Sequence, residues 1–407
     1  MKRIQLSALA CLALAAIYFP TPAAANHRTG TLILPELLVW GDFNGDGKLD
    51  LAVNCTGFDV VAILIGDGQG GYTLKGHLGT DTLPKGLQVG DVDRDGKLDI
   101  VTCNNWGYDE TVLLGDGVGS FHSASPPNEI DGDGEPVRFL LRDFNKDGRL
   151  DLAVNAPDED RVILYLGDGR GNFPAPEIEI EDVARPFGMA DGDFNGDGNL
   201  DMAVGGPSQT AGQSVVSVLL GDGTGNLTVS AFSVNDLPTS VQTADFNQDG
   251  KLDLVVAGAL PEATTENFIT TYLGDGTGHF TLKQNTPLGL GNLKGEVAVG
   301  DFNEDGTPDV AYPVSQSQVQ PGQKPEVNPK STSVFIFLGD GNGSLVMGDV
   351  LTVGQEPHSA ITTDVNDDGH LDLAVSDRTD GAVTVALGDG HGHFTVSSTT
   401  SVLKQPE

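Results

Sequence analysis

A nine-residue acidic segment recurs seven times, and no other feature constrains the fold as tightly. It reads DFNGDGKLD from Asp42, DVDRDGKLD from Asp91, DFNKDGRLD from Asp143 and DFNGDGNLD from Asp193. DFNQDGKLD follows from Asp245, DFNEDGTPD from Asp301 and DVNDDGHLD from Asp364. Successive first aspartates lie 49, 52, 50, 52, 56 and 63 residues apart. A period of this length marks a repeat architecture, in which each copy is one supersecondary unit that buries its apolar face against its neighbours. Seven copies suggest a closed ring.

Oxygen donors on alternating positions suit a hard cation such as calcium, which takes roughly 6–8 oxygens in a forgiving geometry. Position 1 is Asp42, Asp91, Asp143, Asp193, Asp245, Asp301 and Asp364. Position 3 is Asn44, Asp93, Asn145, Asn195, Asn247, Asn303 and Asn366, and position 5 is Asp46, Asp95, Asp147, Asp197, Asp249, Asp305 and Asp368. Position 7, offering its carbonyl, is Lys48, Lys97, Arg149, Asn199, Lys251, Thr307 and His370. Position 9 is Asp50, Asp99, Asp151, Asp201, Asp253, Asp309 and Asp372. Glycine at position 6 permits the sharp turn, and leucine at position 8 is expected to pack inward. The first half matches an EF-hand loop, but no glutamate stands at position 12. An apolar, strand-like run follows instead, as in Leu51-Ala52-Val53. A single Asp/Asn/Gly run would be explained as a plain turn; seven with the same ligand spacing are not. About seven structural calcium ions are expected. A catalytic metal is not, because protein oxygens nearly saturate the ion.

A second motif follows each loop: IGDGQGGY from Ile65, LGDGVGSF from Leu114, LGDGRGNF from Leu166, LGDGTGNL from Leu220, LGDGTGHF from Leu273, LGDGNGSL from Leu338 and LGDGHGHF from Leu387. Apolar runs precede it and alternating runs follow, which is a hairpin pattern. No helical pattern follows, so a phosphate-binding loop is not supported. Seven residues before each acidic loop stands Pro35, Pro84, Pro136, Pro186, Pro238 or Pro357, with Lys294 as the exception; proline is tolerated where a strand begins. Each repeat therefore reads as four antiparallel strands, with the acidic loop between the first two and the GDG turn between the last two. Seven such units make an all-β, seven-bladed β-propeller occupying residues 26–407, with repeats beginning near 35, 84, 136, 186, 238, 294 and 357. Thr31–Leu34 is a candidate closing strand.

These motifs resemble the FG-GAP/VCBS repeat family, the calcium-loop propellers that include the integrin α-subunit head, over about residues 31–400. The resemblance implies calcium on the loop joining the first two strands of each blade. It implies no single activity, since the family spans adhesion heads, lectins and propeller-borne lyases. The sixth copy departs from the pattern with Pro308 in place of leucine, while Asp301, Asn303, Asp305 and Asp309 keep its ligand positions.

Met1-Lys2-Arg3, an apolar run to Phe19 and Ala23-Ala24-Ala25 read as a cleaved signal peptide over residues 1–25; a membrane anchor is the alternative. Export to a secreted, periplasmic or cell-surface location is expected, without membrane insertion of the mature chain. Extracellular sites of this kind bind calcium with Kd of roughly 10⁻⁴–10⁻³ M. At about ten times Kd each site adds roughly 1.4 kcal/mol of stability, so seven matter to the whole fold. The formal net charge is −36. Seven calcium ions would still leave it strongly negative, so nucleic acid and anionic membrane are poor partners. Cys55 and Cys103 follow similar strands in adjacent repeats, as a disulfide or as two buried thiols.

The connectors opposite the acidic loops vary between repeats, and binding residues usually sit on such loops. Trp106 and Tyr108 either stack on a sugar ring or cover a blade edge. Pro313–Ser331 is either a binding loop or a surface insertion. Lys85, Arg138, Arg185, Lys294 and His358 fall near the recurring proline, and ring closure would gather them at the channel mouth. There they would form a basic spot for a uronate or a carboxylate, or pair with Glu36, Glu135, Glu296 and Glu356. The remaining histidines show neither zinc spacing nor a catalytic triad. The best reading is an exported, non-catalytic, calcium-stabilised module binding glycan or extracellular protein. Alternatives are a lyase acting on uronic polymers, with His358 or Tyr108 moving the proton, and a structural surface-layer module.

Overall fold

A computed structural model describes residues 34–107, 109–124, 137–157, 159–174, 178–181, 183, 187–208, 213–235, 237–259, 266–290, 295–314 and 332–403. The expected leader, Tyr108, Glu135, Arg185, Lys294 and most of the Pro313–Ser331 connector lie outside these residues.

The described residues form seven four-stranded antiparallel sheets, each built from four strands consecutive in sequence. Blade one is Pro35–Gly41, Asp50–Cys55, Val60–Gly66 and Tyr72–Gly79. The innermost strands of the other blades are Pro84–Gly90, Phe139–Arg142, Gly188–Gly192, Leu237–Ala244, Ala298–Gly300 and Pro357–Thr363. Each lies beside the innermost strand of the next blade, and the seventh lies beside the first. This is a seven-bladed propeller. Among the described residues no helix is long and apolar enough to cross a membrane.

The register fixes where the acidic loops fall. Gly41 faces Asp50 across the first pair, Gly90 faces Asp99 and Gly300 faces Asp309. The loop therefore runs from the end of the innermost strand to the head of the second, at one end of every blade. In blades one, two, five and seven a bulge follows the recurring proline, a position where a missing backbone donor does not break the ladder. The side chain of Asn54 caps the bulge in blade one, accepting from Leu37 N at 2.5 Å and donating to Pro84 O of the next blade at 3.0 Å.

Second strands are buried on both faces because each blade is sandwiched between two others. Seven apolar clusters result, one at each blade junction. Alternate side chains turn to opposite neighbours, as the period of a strand demands. Leu51 and Val53 join the core shared with blade seven, and Ala52 the core shared with blade two. Pro308 of blade six accompanies a different partner: Gly41, Gly90, Gly192 and Gly300 each face the position-8 leucine of the next blade, whereas blade five presents Ala244.

Blade seven closes on blade one by packing and side-chain hydrogen bonds, with no strand exchanged among the described residues. Leu38 and Leu64 meet Val365 and Val385. Ser376 Oγ donates to Glu36 O at 2.7 Å, His77 Nε2 to Val402 O at 2.8 Å and Thr400 Oγ1 to Tyr72 O at 3.2 Å. Of the candidate closing strand, residues 31–33 lie outside the described residues, and the Leu34 carbonyl accepts from Thr56 N. Cys55 and Cys103 are buried free thiols in different junctions, so no disulfide links them. Burial pushes both thiols up to about 12.

Candidate functional site

Each acidic loop is a backbone turn wound around its own carboxylates. In blade one Asp42 Oδ1 accepts from Gly45 N at 2.7 Å, and Asp42 Oδ2 from Gly47 N at 2.9 Å. Asn44 Oδ1 accepts from Asp46 N, and Asp46 Oδ1 from Lys48 N. Positions 1, 3 and 5 are thereby turned inward, and the pattern recurs in the other copies. Position 4 takes a left-handed backbone throughout, at φ 73° for Gly45, 64° for Arg94, 58° for Lys146 and 58° for Glu304.

Position 9 does something the spacing does not reveal. All seven of these aspartates are completely buried. Asp50 Oδ2 accepts from Phe43 N of its own loop at 3.0 Å, and Asp50 Oδ1 from Gly66 N of the GDG turn at 2.9 Å. The same bond reaches Gly115, Gly167, Gly221, Gly274, Gly339 and Gly388 in the other blades. One carboxylate staples loop to turn. That approach explains the first glycine of GDG: a Cβ on Gly167 would stand 2.0 Å from Leu150 O, and on Gly115 2.2 Å from Leu98 O.

The turn then binds the preceding blade. In blades three, five, six and seven the third turn glycine donates its N–H to the position-2 carbonyl of the previous loop: Gly171 to Val92, Gly278 to Phe194, Gly343 to Phe246 and Gly392 to Phe302. The position-2 phenylalanine meets the one after the next turn edge to face: Phe43 with Phe121 at 5.6 Å, Phe194 with Phe280 at 5.4 Å and Phe302 with Phe394 at 5.3 Å. Leucine at position 8 also reaches across, since a Cβ on Gly41 would touch Leu98 and one on Gly90 would touch Leu150. It anchors the loop to the neighbouring blade as well as its own.

These residues fit a hard divalent cation. In blade two one oxygen each from Asp91, Asp93 and Asp99 lies within 4.8 Å of the others. Their like charges repel at that range. Burial first, and then the facing loop carboxylates, push Asp151, Asp253 and Asp309 up to about 6 against the two N–H bonds each accepts. Asp50, Asp201 and Asp372 are raised for the same reasons. The donor set is all oxygen, which suits calcium over the softer transition metals. The carbonyls of Lys48, Lys97, Arg149, Asn199, Lys251, Thr307 and His370 follow in the same turn, while the His370 side chain turns away to Glu304 at 2.5 Å.

At the opposite end of the ring, Lys85, Arg138 and His358 do come together, joined by Arg378, but each cation is paired. Lys85 Nζ lies 2.7 Å from Glu36, Arg378 3.2 Å from Glu36 and 3.3 Å from Glu356, and Arg138 3.1 Å from Glu296. Burial alone would raise the Glu36 carboxyl, yet Lys85 and Arg378 bring it to about 2. Burial, with Arg378, Lys85 and Arg138 nearby, lowers His358 to about 3, so its imidazole is neutral. Among the described residues this mouth is a balanced ion network rather than a basic spot. Arg378 carries no proline mark, so only its place directly after a second strand could have flagged it. The channel behind the mouth encloses about 630 Å³.

On the same face, Trp106 is half-buried in the connector of blade two, and Phe58 is 48% exposed in the corresponding connector of blade one. Segment 80–83 ties the two connectors together. Thr80 N and Leu83 N bond Asp59, while the Leu83 and Thr82 carbonyls accept from Asn105 N and Trp106 N.

The FG-GAP-like repeat profile matches residues 42–102, 143–204, 193–256 and 259–312, together more than half of the chain. Comparison with curated proteins finds no match. Among solved structures, Kuenenia stuttgartiensis hydrazine synthase is similar at 13% identity and a TM-score of 0.60, over 92% of this chain and 99% of that one. An Agrocybe aegerita lectin specific for non-reducing terminal N-acetylglucosamine is similar at 18% identity and 0.53, covering 92% and 91%. BBS1N, solved in complex with ARL6DN, is similar at 11% identity and 0.52, covering 92% and 94%. At such identities the likeness is one of fold.

Proposed function

This chain belongs to the FG-GAP-like repeat family, and from that premise we propose that it is an exported binding module, stabilised by calcium, that recognises a glycan or an extracellular protein through its connector face. Calcium would be held by positions 1, 3, 5 and 9 and the position-7 carbonyl of each loop. When bound it supplies positive charge where buried carboxylates crowd together. The inward-turned carboxylates around a fully buried position-9 aspartate carry this part of the reading.

Recognition on the connector face is supported by Phe58 and Trp106, two aromatic side chains presented from linked connectors of adjacent blades. Aromatic faces with a polar surround suit a sugar ring, since apolar C–H faces stack on them while hydroxyls reach polar neighbours. A lectin of similar fold recognises N-acetylglucosamine, which makes a glycan the first class to test. Proton transfer by His358 has no comparable support, because that side chain is only 5% exposed.

The test is binding of residues 26–407, in millimolar calcium, to a panel of neutral and uronic polysaccharides, with released product assayed in the same wells. Retention of a neutral polysaccharide without product, weakened at least tenfold by Trp106→Ala, is the expected result. Product release would replace the binding module with an enzyme. Retention of no glycan would leave a protein partner as the reading.

A further inference from the structure

The acidic-loop face is built from repeated parts, but it is not uniform in charge. Three positions in each blade lie on the outer side of the loop and turn, all at least partly exposed except Thr307: position 4, position 7 and the variable residue of the GDG-x-G turn. In blades one to three these are Gly45, Arg94 and Lys146, then Lys48, Lys97 and Arg149, then Gln69, Val118 and Arg170. Six of these nine are Lys or Arg. Blades four to seven offer Gly196, Gln248, Glu304 and Asp367, then Asn199, Lys251, Thr307 and His370, then Thr224, Thr277, Asn342 and His391. Only one of these twelve is Lys or Arg. On a chain of net charge −36, so uneven a distribution needs a reason.

The geometry concentrates the cations further. Position 4 of one blade and position 7 of the next flank the middle glycine of that next blade's turn. In blade three both are arginine: a Cβ on Gly169 would stand 3.0 Å from Arg94 Cδ and 3.2 Å from Arg149 Cδ. Arg170 follows directly, so three exposed guanidinium side chains surround one turn. Arg149 touches Asp147 at 3.4 Å, and Arg170 lies near the turn's Asp168, whose carboxyl it helps to lower. Lys75 extends the arc toward blade two, its Nζ donating to Val118 O at 2.8 Å. At the equivalent turn of blade seven the flanking pair is instead Glu304 and His370, bonded to each other.

We propose that the calcium face of blades one to three is a second binding surface, which takes an anionic polysaccharide with its carboxylate or sulfate groups on Arg94, Arg149 and Arg170. Guanidinium forks match such oxyanions with two parallel hydrogen bonds. This rests on the calcium reading: three bound ions bring six positive charges against the ten carboxylates of these loops, and the outward Lys and Arg side chains supply the remaining balance, which blades four to seven largely lack. The acidic remainder of the face confines the ligand to this sector. The arc positions carry no aromatic side chains, so a single-stranded nucleic acid would find nothing on which to stack its bases.

The experiment compares residues 26–407 with a triple variant in which each arginine becomes what another blade carries there: Arg94→Gly, Arg149→Asn and Arg170→Thr. Glycine keeps the left-handed backbone of position 4. Polygalacturonate, dextran sulfate, neutral dextran and a single-stranded oligonucleotide are titrated in millimolar calcium and in chelator, with melting curves recorded in parallel. The expected result is calcium-dependent binding of an anionic polysaccharide, weakened at least tenfold in the triple variant and unchanged by Trp106→Ala, with equal calcium-induced rises in Tm for variant and wild type. The polygalacturonate and sulfate arms separate carboxylate from sulfate recognition. Calcium-raised Tm without binding of either anionic polysaccharide would overturn the second surface alone. Undiminished binding by the triple variant, or equal binding of the oligonucleotide, would do the same. No effect of calcium on Tm would remove the calcium reading, and the inference with it.

Discussion

Single carboxylates in this protein do different work according to what surrounds them. Asp377, which ends the second strand of blade seven, is completely buried. Its Oδ2 accepts from Thr384 Oγ1 at 2.5 Å, and the Gly354 backbone N–H lies beside the same carboxyl. Burial pushes this carboxyl up to about 7, whereas an unfolded chain ionises it near pH 3.9. The native state therefore holds the proton more tightly. Its stabilising contribution is full below about pH 4, is lost as pH rises toward 7, and is flat above. Asp377→Asn removes that penalty, so the variant should gain on wild type between those limits, by up to a few kcal/mol at pH 8. Urea melts of both proteins from pH 4 to 8 check this; a pH-independent gap would contradict it. The staple at position 9 predicts the opposite sign. Asp253→Ala strands two buried N–H donors, those of Phe246 and Gly274. It should cost about 2–5 kcal/mol, measured by the same melts in saturating calcium.

At the scale of an element, the acidic loop and the GDG turn were both legible, because each is a short run whose residue types are fixed by its own backbone. Their connection was not. The bond from Gly167 N to Asp151 spans 16 residues, and the bond from Gly171 to Val92 joins two blades. No local pattern encodes such a bond, although the recurrence of both motifs in one order was a clue that they meet. The first glycine of the turn is therefore the most demanding element position. Gly167→Ala places a methyl 2.0 Å from a backbone carbonyl that cannot yield as a side chain could. A loss of several kcal/mol or failure to fold is expected. Gly198→Ala meets no atom within 4 Å, and only its positive φ of 80° costs about 1 kcal/mol or a little more. Expressing the two side by side and comparing melting midpoints tests the distinction; equal losses would refute the close-approach argument.

Across the whole molecule the ring is held at its seam by few but specific contacts. The propeller, its seven blades and its four strands per blade followed from period and strand pattern alone. Pairing of the channel-mouth cations with Glu36, Glu296 and Glu356 was one of the two readings the sequence offered, but the part played by Arg378 was not legible, because Glu36 and Arg378 lie at opposite ends of the chain and meet only on closure. Lys85, Arg138 and His358 were placed correctly near one another, and the charge balance was then supplied by partners from other blades. Glu36→Gln leaves Lys85 and Arg378 without their buried counter-charge, at a cost of about 3 kcal/mol. Hydrogen exchange should quicken first in blades one and seven if the seam opens there; uniform quickening would contradict that assignment. Calcium bound in the loops would act on the same whole-molecule scale, since each loop is stapled to a turn and four of the turns are bonded to the preceding blade. Taking about 1.4 kcal/mol per loop at ten times Kd, and an unfolding entropy of about 2 cal/mol/K per residue, loading all seven should move Tm by roughly 10–15 °C. The most direct measurement is the melting curve of residues 26–407 in millimolar calcium and after chelation. A fall of about 10 °C or more on chelation is the predicted result, and a shift of only a degree or two would contradict calcium as a structural part of this propeller.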